Sequence, residues 1–337
     1  MKILITGGAG FIGSHVIRYF ERKYPQYILY NIDKLGYAGH RSSLSELEAK
    51  PNYHFIHGDI VHHKLLCDLF KTHRFQAVIH LAAETHVDRS IRDGRSFVRS
   101  NLYGTGSVLE AAYEHWKSHP KDFRLFYHIS TDEVYGSLGE TGVFTEDSPY
   151  APRSPYAATK AGSDHLVQSY AHTHGFPTLI SHSSNNYGPF QHPEKLIPMS
   201  ILSLRDARAV PLYGDGKQRR DWLYVEDHVR AIDVLFHQGQ LGEHYNIAAG
   251  EEQSNQDLLK QIAKRVYRHL SRPEPRELED YICFVQDRPG HDFRYAMDCQ
   301  KIRQSLGWSP EVSLSTGLDK TVAWYLQDKD WLREVQS

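Results

Sequence analysis

Two carboxylates stand side by side at Asp132 and Glu133, in "STDEVYG", directly after the apolar run "RLFYHIS" (124–130). Like charges at that spacing repel, and packing alone seldom places them together. Burial and mutual repulsion push two such pKa values apart, so one carboxyl keeps its proton near neutrality while the other loses it. A pair of that kind can act as acid and base on one substrate. The plainer alternative is that both residues cap the next helical turn.

A second pair follows at Tyr156 and Lys160, in "SPYAATKAGSDHL". Four residues apart on a helix puts both on one face, one turn apart. A nearby ammonium favours the phenolate and is expected to lower the tyrosine's pKa from about 10. Such a phenolate can take a proton from a substrate hydroxyl while hydride leaves the same carbon. The hydride acceptor is indicated by "GGAGFIGSH", with Gly8-x-Gly10-x-x-Gly13 and Gly7-x-x-Gly10-x-x-Gly13 in overlap. Glycines without Cβ let the backbone approach a pyrophosphate, and the helix that follows offers free N–H groups to it. Asp33, at the end of the next apolar run, is placed to bind an adenine ribose 2′-hydroxyl. A 2′-phosphate would meet a carboxylate there, so NAD is expected rather than NADP, with Lys34 as the opposing feature. Asp59 in "HGDI" is placed to reach the adenine.

These residues need strand ends and helix starts to hold them. "KILIT" (2–6), "YILYNID" (27–33), "YHFIHGD" (53–59), "QAVIHLA" (76–82), "RLFYHIS" and "PTLISHSS" (177–184) read as strands, and segments near 12–23, 62–72, 101–117 and 156–174 as helices. The alternation predicts an α/β fold, a Rossmann-type doubly wound parallel sheet covered on both faces. From about 185 the rhythm changes to prolines, glycines and short mixed pieces. The expected division is a dinucleotide-binding unit over 1–184 and a smaller α+β substrate-binding unit over 185–337, with some segments crossing back. "SRPEPRELED" (271–280) reads as a polar loop.

Bulk properties exclude several classes. A net charge of −2 gives no footprint for nucleic acid or an anionic membrane. No apolar run approaches a membrane span, and the start of the chain lacks a signal-peptide core. Three cysteines, Cys67, Cys283 and Cys299, form no CxxC pair, so a reducing cytoplasm is the expectation. The 22 histidines are scattered. His172 and His174, two apart on a helix, face different directions, and no metal site is expected.

The glycine signature with Tyr-x-x-x-Lys resembles the extended short-chain dehydrogenase/reductase family, whose catalytic hydroxyl matches Thr131. Asp132 with Glu133 narrows the resemblance to its dTDP-glucose 4,6-dehydratases, as do "AAETHVDRS" (82–90), "NNYGPFQHPEKLIP" (185–198), "GDGKQRRDWLYVEDH" (214–228) and "DRPGHDFRY" (287–295). The likeness implies oxidation at C4 of a nucleotide-bound glucose, loss of water across C5 and C6, and hydride return to C6. It assigns Glu133 as the base at C5 and Asp132 as the acid at C6; the residues alone do not say which is which. It implies cofactor contacts from Gly7, Gly10, Phe11, Ile12, Gly13, Asp33, Lys34, Asp59, Ile60, Leu81, Ala83, Ser100 and Asn186, besides Tyr156 and Lys160. Substrate contacts are implied for His86, Thr131, Asn185, Lys195, Leu196, Arg220, Asn255, Arg288 and His291. Arginine suits forked contacts with a diphosphate. His86, Asp88 and Arg89 line the hexose pocket or order its loop. The likeness also implies a homodimer through helices 101–117 and 156–174.

Three alternatives remain at this point. The same scaffold serves 4-epimerases and decarboxylases, neither of which needs the Asp132–Glu133 pair for an elimination. The base of the nucleotide is thymine, uracil or cytosine. A dinucleotide-binding regulator would dispense with chemistry altogether, but such proteins tend to lose the tyrosine or lysine that are both present here.

Overall fold

The computed structural model describes residues 1–118, 123–273, 277 and 280–336. The six expected strands form: β1 (Lys2–Thr6), β2 (Ile28–Asp33), β3 (Tyr53–His57), β4 (Ala77–His80), β5 (Leu125–Thr131) and β6 (Thr178–Ser183). Between them run α1 (Phe11–Lys23), α2 (His63–His73), the short α3 (Val87–Arg92) and α4 (Arg95–Phe97), α5 (Gly104–Lys117) and α6 (Pro155–His174). The helix expected from 101 begins earlier. A π-helical turn over Val98–Tyr103 joins α4 to α5, widening the backbone where Ser100 and Asn101 turn inward.

Downstream come β7 (Asn185–Tyr187), α7 (Leu196–Arg205), β8 (Val210–Tyr213), β9 (Arg219–Tyr224), α8 (Val225–Gln238), β10 (His244–Ile247), β11 (Glu252–Ser254), α9 (Asn255–His269), β12 (Ile282–Val285), α10 (Gln300–Leu306), α11 (Leu314–Gln327) and α12 (Lys329–Gln336). The polar loop expected over 271–280 lies partly outside the described residues.

The main sheet has the order β10-β6-β5-β4-β1-β2-β3, with every pairing parallel. This is the doubly wound arrangement, and its strand order reverses beside β1, where a crevice must open at the carboxyl ends. Both faces are apolar, which is why the strand sequences do not alternate. Ile3 and Ile5 of β1 join one cluster with Val16, Ile17 and Phe20, while Leu4 joins the other with Phe70, Val78 and Phe126. A separate core gathers Tyr187, Ile201, Leu258, Ile262, Leu318 and Tyr325.

Three downstream segments return to the first sheet. β10 extends its edge beside β6. Helix α8 packs on α1, where Asp233 takes hydrogen bonds from Lys23 (2.6 Å), Tyr24 (2.8 Å) and Tyr19 (3.1 Å). Helix α12 brings Trp331, whose Nε1 donates to Ser43 Oγ at 2.9 Å and whose ring meets Phe190 and Trp324. Trp331 is buried at this junction. Trp331→Ala is therefore expected to cost roughly 3 kcal/mol of stability, measured as a lowered midpoint with unchanged slope in urea unfolding.

Candidate active site

At the carboxyl end of β1, Gly7 adopts φ +72°, and a Cβ there would stand 2.7 Å from the Ala82 backbone. A Cβ on Gly13 would stand 2.3 Å from the Gly7 carbonyl oxygen, so only glycine lets α1 start this close to the strand. Gly10 caps α1 without a side-chain bond, leaving the helix N-terminus turned to the cleft. These features make a cradle for a pyrophosphate. Asp33 at the end of β2 is fixed by Ala9 N–H (3.0 Å) and Leu35 N–H (2.9 Å), one to each oxygen. Lys34 is engaged elsewhere, paired with Glu84 at 2.7 Å, so the cation beside Asp33 is already neutralised.

The two carboxylates project from a single 3₁₀ turn, Asp132–Tyr135, at the end of β5. Thr131 builds that turn: its Oγ1 accepts from Glu133 N–H at 3.3 Å and donates to Asp132 Oδ1 at 3.1 Å. The cap is thus the threonine, and the carboxylates are left for other work. Asp132 is 2 % exposed, and its Oδ2 is buried with no hydrogen-bond partner among the described residues. Tyr156 and Lys160 rise on α6, which starts where Ser154 Oγ accepts from Ala157 N–H (3.1 Å) and Pro155 occupies the first turn. Tyr156 N–H is held by Ser90 Oγ (3.2 Å), and Lys160 Nζ donates to the Ile129 carbonyl at 2.8 Å.

Electrostatics separate the two carboxylates. Burial first, and then Glu133, push Asp132 up to about 8. Burial raises Glu133 as well, but Arg288, Arg220 and Lys195, in that order, draw it back. Asp132 therefore keeps its proton at neutral pH, and Glu133 is the carboxyl with cations around it. Tyr156 departs from expectation. Its phenol is held well above the ordinary value by burial and then by the neighbouring Glu133, and Thr131 alone of its main partners draws it down. The helical spacing implied a lowered pKa because it counted the ammonium and not the dry site. Lys160 itself is pulled down to about 8 by burial.

One cleft is lined by all of the expected catalytic residues and all of the expected cofactor residues, from Gly7 through Ser100 to Asn186. Of the substrate candidates it takes in Thr131, Asn185 and Lys195; His86, Leu196, Arg220, Asn255, Arg288 and His291 stand outside its lining. Arg220 is committed to the carbonyls of Arg219, Asp292 and Phe293, and its guanidinium lies over the Tyr295 ring at 4.3 Å. His86 Nε2 meets Glu194 (3.2 Å), Asp88 meets Arg288 (3.4 Å) and Tyr213 (3.0 Å), and Arg89 lies over the Tyr37 ring (4.0 Å). This trio orders its loop. His291 bonds Asp287 at 2.6 Å, and Lys195 Nζ donates to Thr85 O at 3.0 Å.

A family model described as GDP-mannose 4,6 dehydratase matches residues 4–321. The dTDP-glucose 4,6-dehydratase of Neisseria meningitidis serogroup B is 50% identical over 342 residues, covering 99% of this chain and 96% of the relative. The dTDP-glucose 4,6-dehydratase 1 of Escherichia coli K12 is 46% identical, covering 100% and 96%. The chain belongs to the dTDP-glucose 4,6-dehydratase family. Among solved structures, the dTDP-glucose 4,6-dehydratase DesIV from Streptomyces venezuelae, with NAD bound, superimposes with a TM-score of 0.90 at 40% identity over 99% of this chain and 100% of that one. A UDP-glucose 4-epimerase from Thermotoga maritima reaches 0.85 at 27% identity, covering 97% and 99%. The scaffold is thus shared with epimerases, and the higher identities lie with the dehydratases.

Within this dehydratase fold the cleft also holds Tyr37, Glu84, Thr85, Gln191 and His192, which sequence reasoning did not single out. Glu84 and Thr85 lie in "AAETHVDRS", from which His86, Asp88 and Arg89 were the residues expected near the hexose. Asn101 was likewise missed: its side chain accepts from Glu84 N–H (2.7 Å) and donates to Glu84 O (3.1 Å) and Thr159 Oγ1 (3.0 Å), tying the loop to α6. Away from the cleft, His63, Cys67 and Glu114 bring three metal-capable atoms within 4.8 Å of one another. The thiol at 3.5 Å from His63 and 3.6 Å from Glu114 is satisfied there by hydrogen bonding. Asp33→Ala is expected to weaken NAD binding about tenfold or more, the loss of a charge-assisted pair of hydrogen bonds, read by fluorescence titration of protein freed of nucleotide.

Proposed function

We propose that this chain converts dTDP-glucose to its 4-keto-6-deoxy product, acting as an NAD-dependent hydro-lyase. The observation that carries this reading is the split pair, a buried protonated Asp132 next to a Glu133 surrounded by cations, on the turn that faces Tyr156. The pyrophosphate cradle at Gly7–Gly13 and the fixed Asp33 carboxylate fit NAD, with Asp59, Ile60, Leu81, Ala83, Ser100 and Asn186 along its course. NAD, when bound there, would supply the acceptor for the C4 hydride, its donor at C6 and a positive charge beside the phenol.

Tyr156 takes the proton of the C4 hydroxyl, with Thr131 oriented to share a hydrogen bond with it. Tyr156 first passes its own phenol proton outward; Lys160, on the same helix face, supplies the positive charge that favours the resulting phenolate, which becomes a phenol again on taking the C4 hydroxyl proton. A ketone at C4 makes the C5 hydrogen acidic, and Glu133 removes it. Asp132 protonates the C6 hydroxyl, which leaves as water. Lys195 and Arg288 are the cations we assign to the nucleotide diphosphate, with Asn185 on the sugar side. His86, Leu196, Asn255 and His291 act on the loops that hold these groups, and Arg220 acts through charge on Glu133.

The working organisation is two units, 1–184 and 185–337, with α8 and β10 packed on the first. Val98 and Tyr103 are 51% and 60% exposed beside α6, and this apolar surface supports a homodimer through α5 and α6. Among the described residues no helix is long and apolar enough to cross a membrane. Cys67, Cys283 and Cys299 are free thiols, which supports placing the enzyme in the reducing cytoplasm.

Incubation with dTDP-glucose should yield the alkali-induced absorbance of a 4-keto sugar, and UDP- and CDP-glucose much less. No signal with any of the three would overturn the reading. Asp132→Asn should still oxidise C4 while dehydration slows about a hundredfold or more, so NADH absorbance accumulates transiently; dehydration at the wild-type rate would remove the acid from Asp132. Because Asp132 must carry its proton, elimination is expected to hold below about pH 8 and fall as pH rises through it. Sedimentation equilibrium should return twice the chain mass.

A further inference from the structure

Asp164 lies one turn beyond Lys160 on α6 and is wholly buried. Its Oδ1 stands 3.1 Å from His128 Nε2. Its Oδ2 stands 3.0 Å from His182 Nε2 and accepts from Ser130 Oγ (2.8 Å) and Tyr150 OH (3.0 Å). His128 Nε2 is also 3.4 Å from Lys160 Nζ, the ammonium that donates to Ile129 O. His128 and His182 sit on neighbouring strands β5 and β6 with no exposed side-chain surface. A carboxylate this deep is costly unless something needs its charge.

Satisfying the two histidines would not require an anion, since neutral imidazoles bond equally to an amide. The group that does require one is Lys160, a dry ammonium four residues away on the same helix face. Resting on the function read above, we propose that Asp164 is a positioning residue of the reaction: its Oδ1 and the Lys160 ammonium stand against the same nitrogen, His128 Nε2, at 3.1 and 3.4 Å, and this buried anion keeps Lys160 cationic beside Tyr156.

The ionisable groups facing the pair are His80 of β4, His128 of β5, His182 of β6, Tyr135 and Tyr150 of the segment between β5 and α6, and Tyr156 of α6. Burial, with Lys160 adding to it, holds His128 down to about 4, and burial holds His80 well below its ordinary value, so neither is charged at neutral pH. Tyr135 and Tyr150 are raised by burial and keep their protons. Asp164 is accordingly the counter-charge acting on Lys160 against desolvation. The sign follows: Lys160 is cationic below about pH 8 and loses its proton above it. Removing Asp164 moves that midpoint down.

Lysine labelled at the ε-carbon with the heavy isotope gives a resonance for Lys160 that is identified by its loss in Lys160→Arg. In wild-type protein its titration midpoint should lie near 8. In Asp164→Asn it should fall by about one pH unit or more. His128→Asn, which leaves the Asp164 carboxylate bonded to Ser130, Tyr150 and His182, should keep the midpoint close to that of wild type, and Asp164→Ser carries the test if Asp164→Asn does not fold. In an Asp132→Asn background, where the elimination acid no longer contributes, the alkaline limb of the NADH burst should move down with the resonance. An unchanged midpoint on loss of the Asp164 charge overturns the proposal, whatever the substrate proves to be, and so does an equal fall in His128→Asn, which would assign the shift to packing and not to charge. Asp164→Glu, which restores the charge, should recover most of the midpoint.

Discussion

Two neighbouring carboxyls in a dry site cannot both ionise, and the architecture around the end of β5 exists to decide which one does. The 3₁₀ turn fixes both groups on one short arc, with Thr131 committed to the turn so that Asp132 and Glu133 are not consumed as caps. Asp132 is the deeper of the two. Glu133 faces Arg288, Arg220 and Lys195, which arrive from three separate downstream segments. The asymmetry therefore does not reside in the dipeptide. It is created by where the second half of the chain places its cations.

The same logic runs through the hydrogen-bonded layer beneath the cleft. Parallel strands bring His80, His128, Ser130 and His182 to adjacent positions at their carboxyl ends, in the registers His80↔His128 and Ser130↔His182. In an all-apolar sheet these would be misplaced polar groups. Here Asp164 gathers His128, Ser130 and His182, while His80 is bonded between Thr6 and Thr105, and the layer supports the α6 pair from behind while the cleft stays open in front. Several of the histidines that composition alone left unexplained have this role.

Much of this was legible in the residues because the signals were local. Apolar runs bounded by glycine and proline located β1 to β6, and the spacing of Gly7, Gly10 and Gly13 located the nucleotide end. The segments that failed were set by distant contacts. Arg220 looked like a phosphate ligand, but its guanidinium is taken by carbonyls some 72 residues away. His86 was expected among the substrate contacts, and its ring is paired with Glu194. The Tyr156 shift was misjudged since helical spacing carries charge proximity and not desolvation. Asp164 gave no sign at all: a polar residue on an amphipathic helix reads as solvent-facing until the sheet behind it is known.

The return of α12 to the first unit has a bearing on biogenesis. Trp331 bonds Ser43 across 288 residues of sequence, at the loop that borders the nucleotide end. Synthesis proceeds from the N-terminus, so β1 and its glycine cradle emerge long before the tryptophan that closes their flank. A nascent chain can assemble β1 to β6 before α12 exists, yet the flank of its nucleotide cradle is closed only once Trp331 has been made.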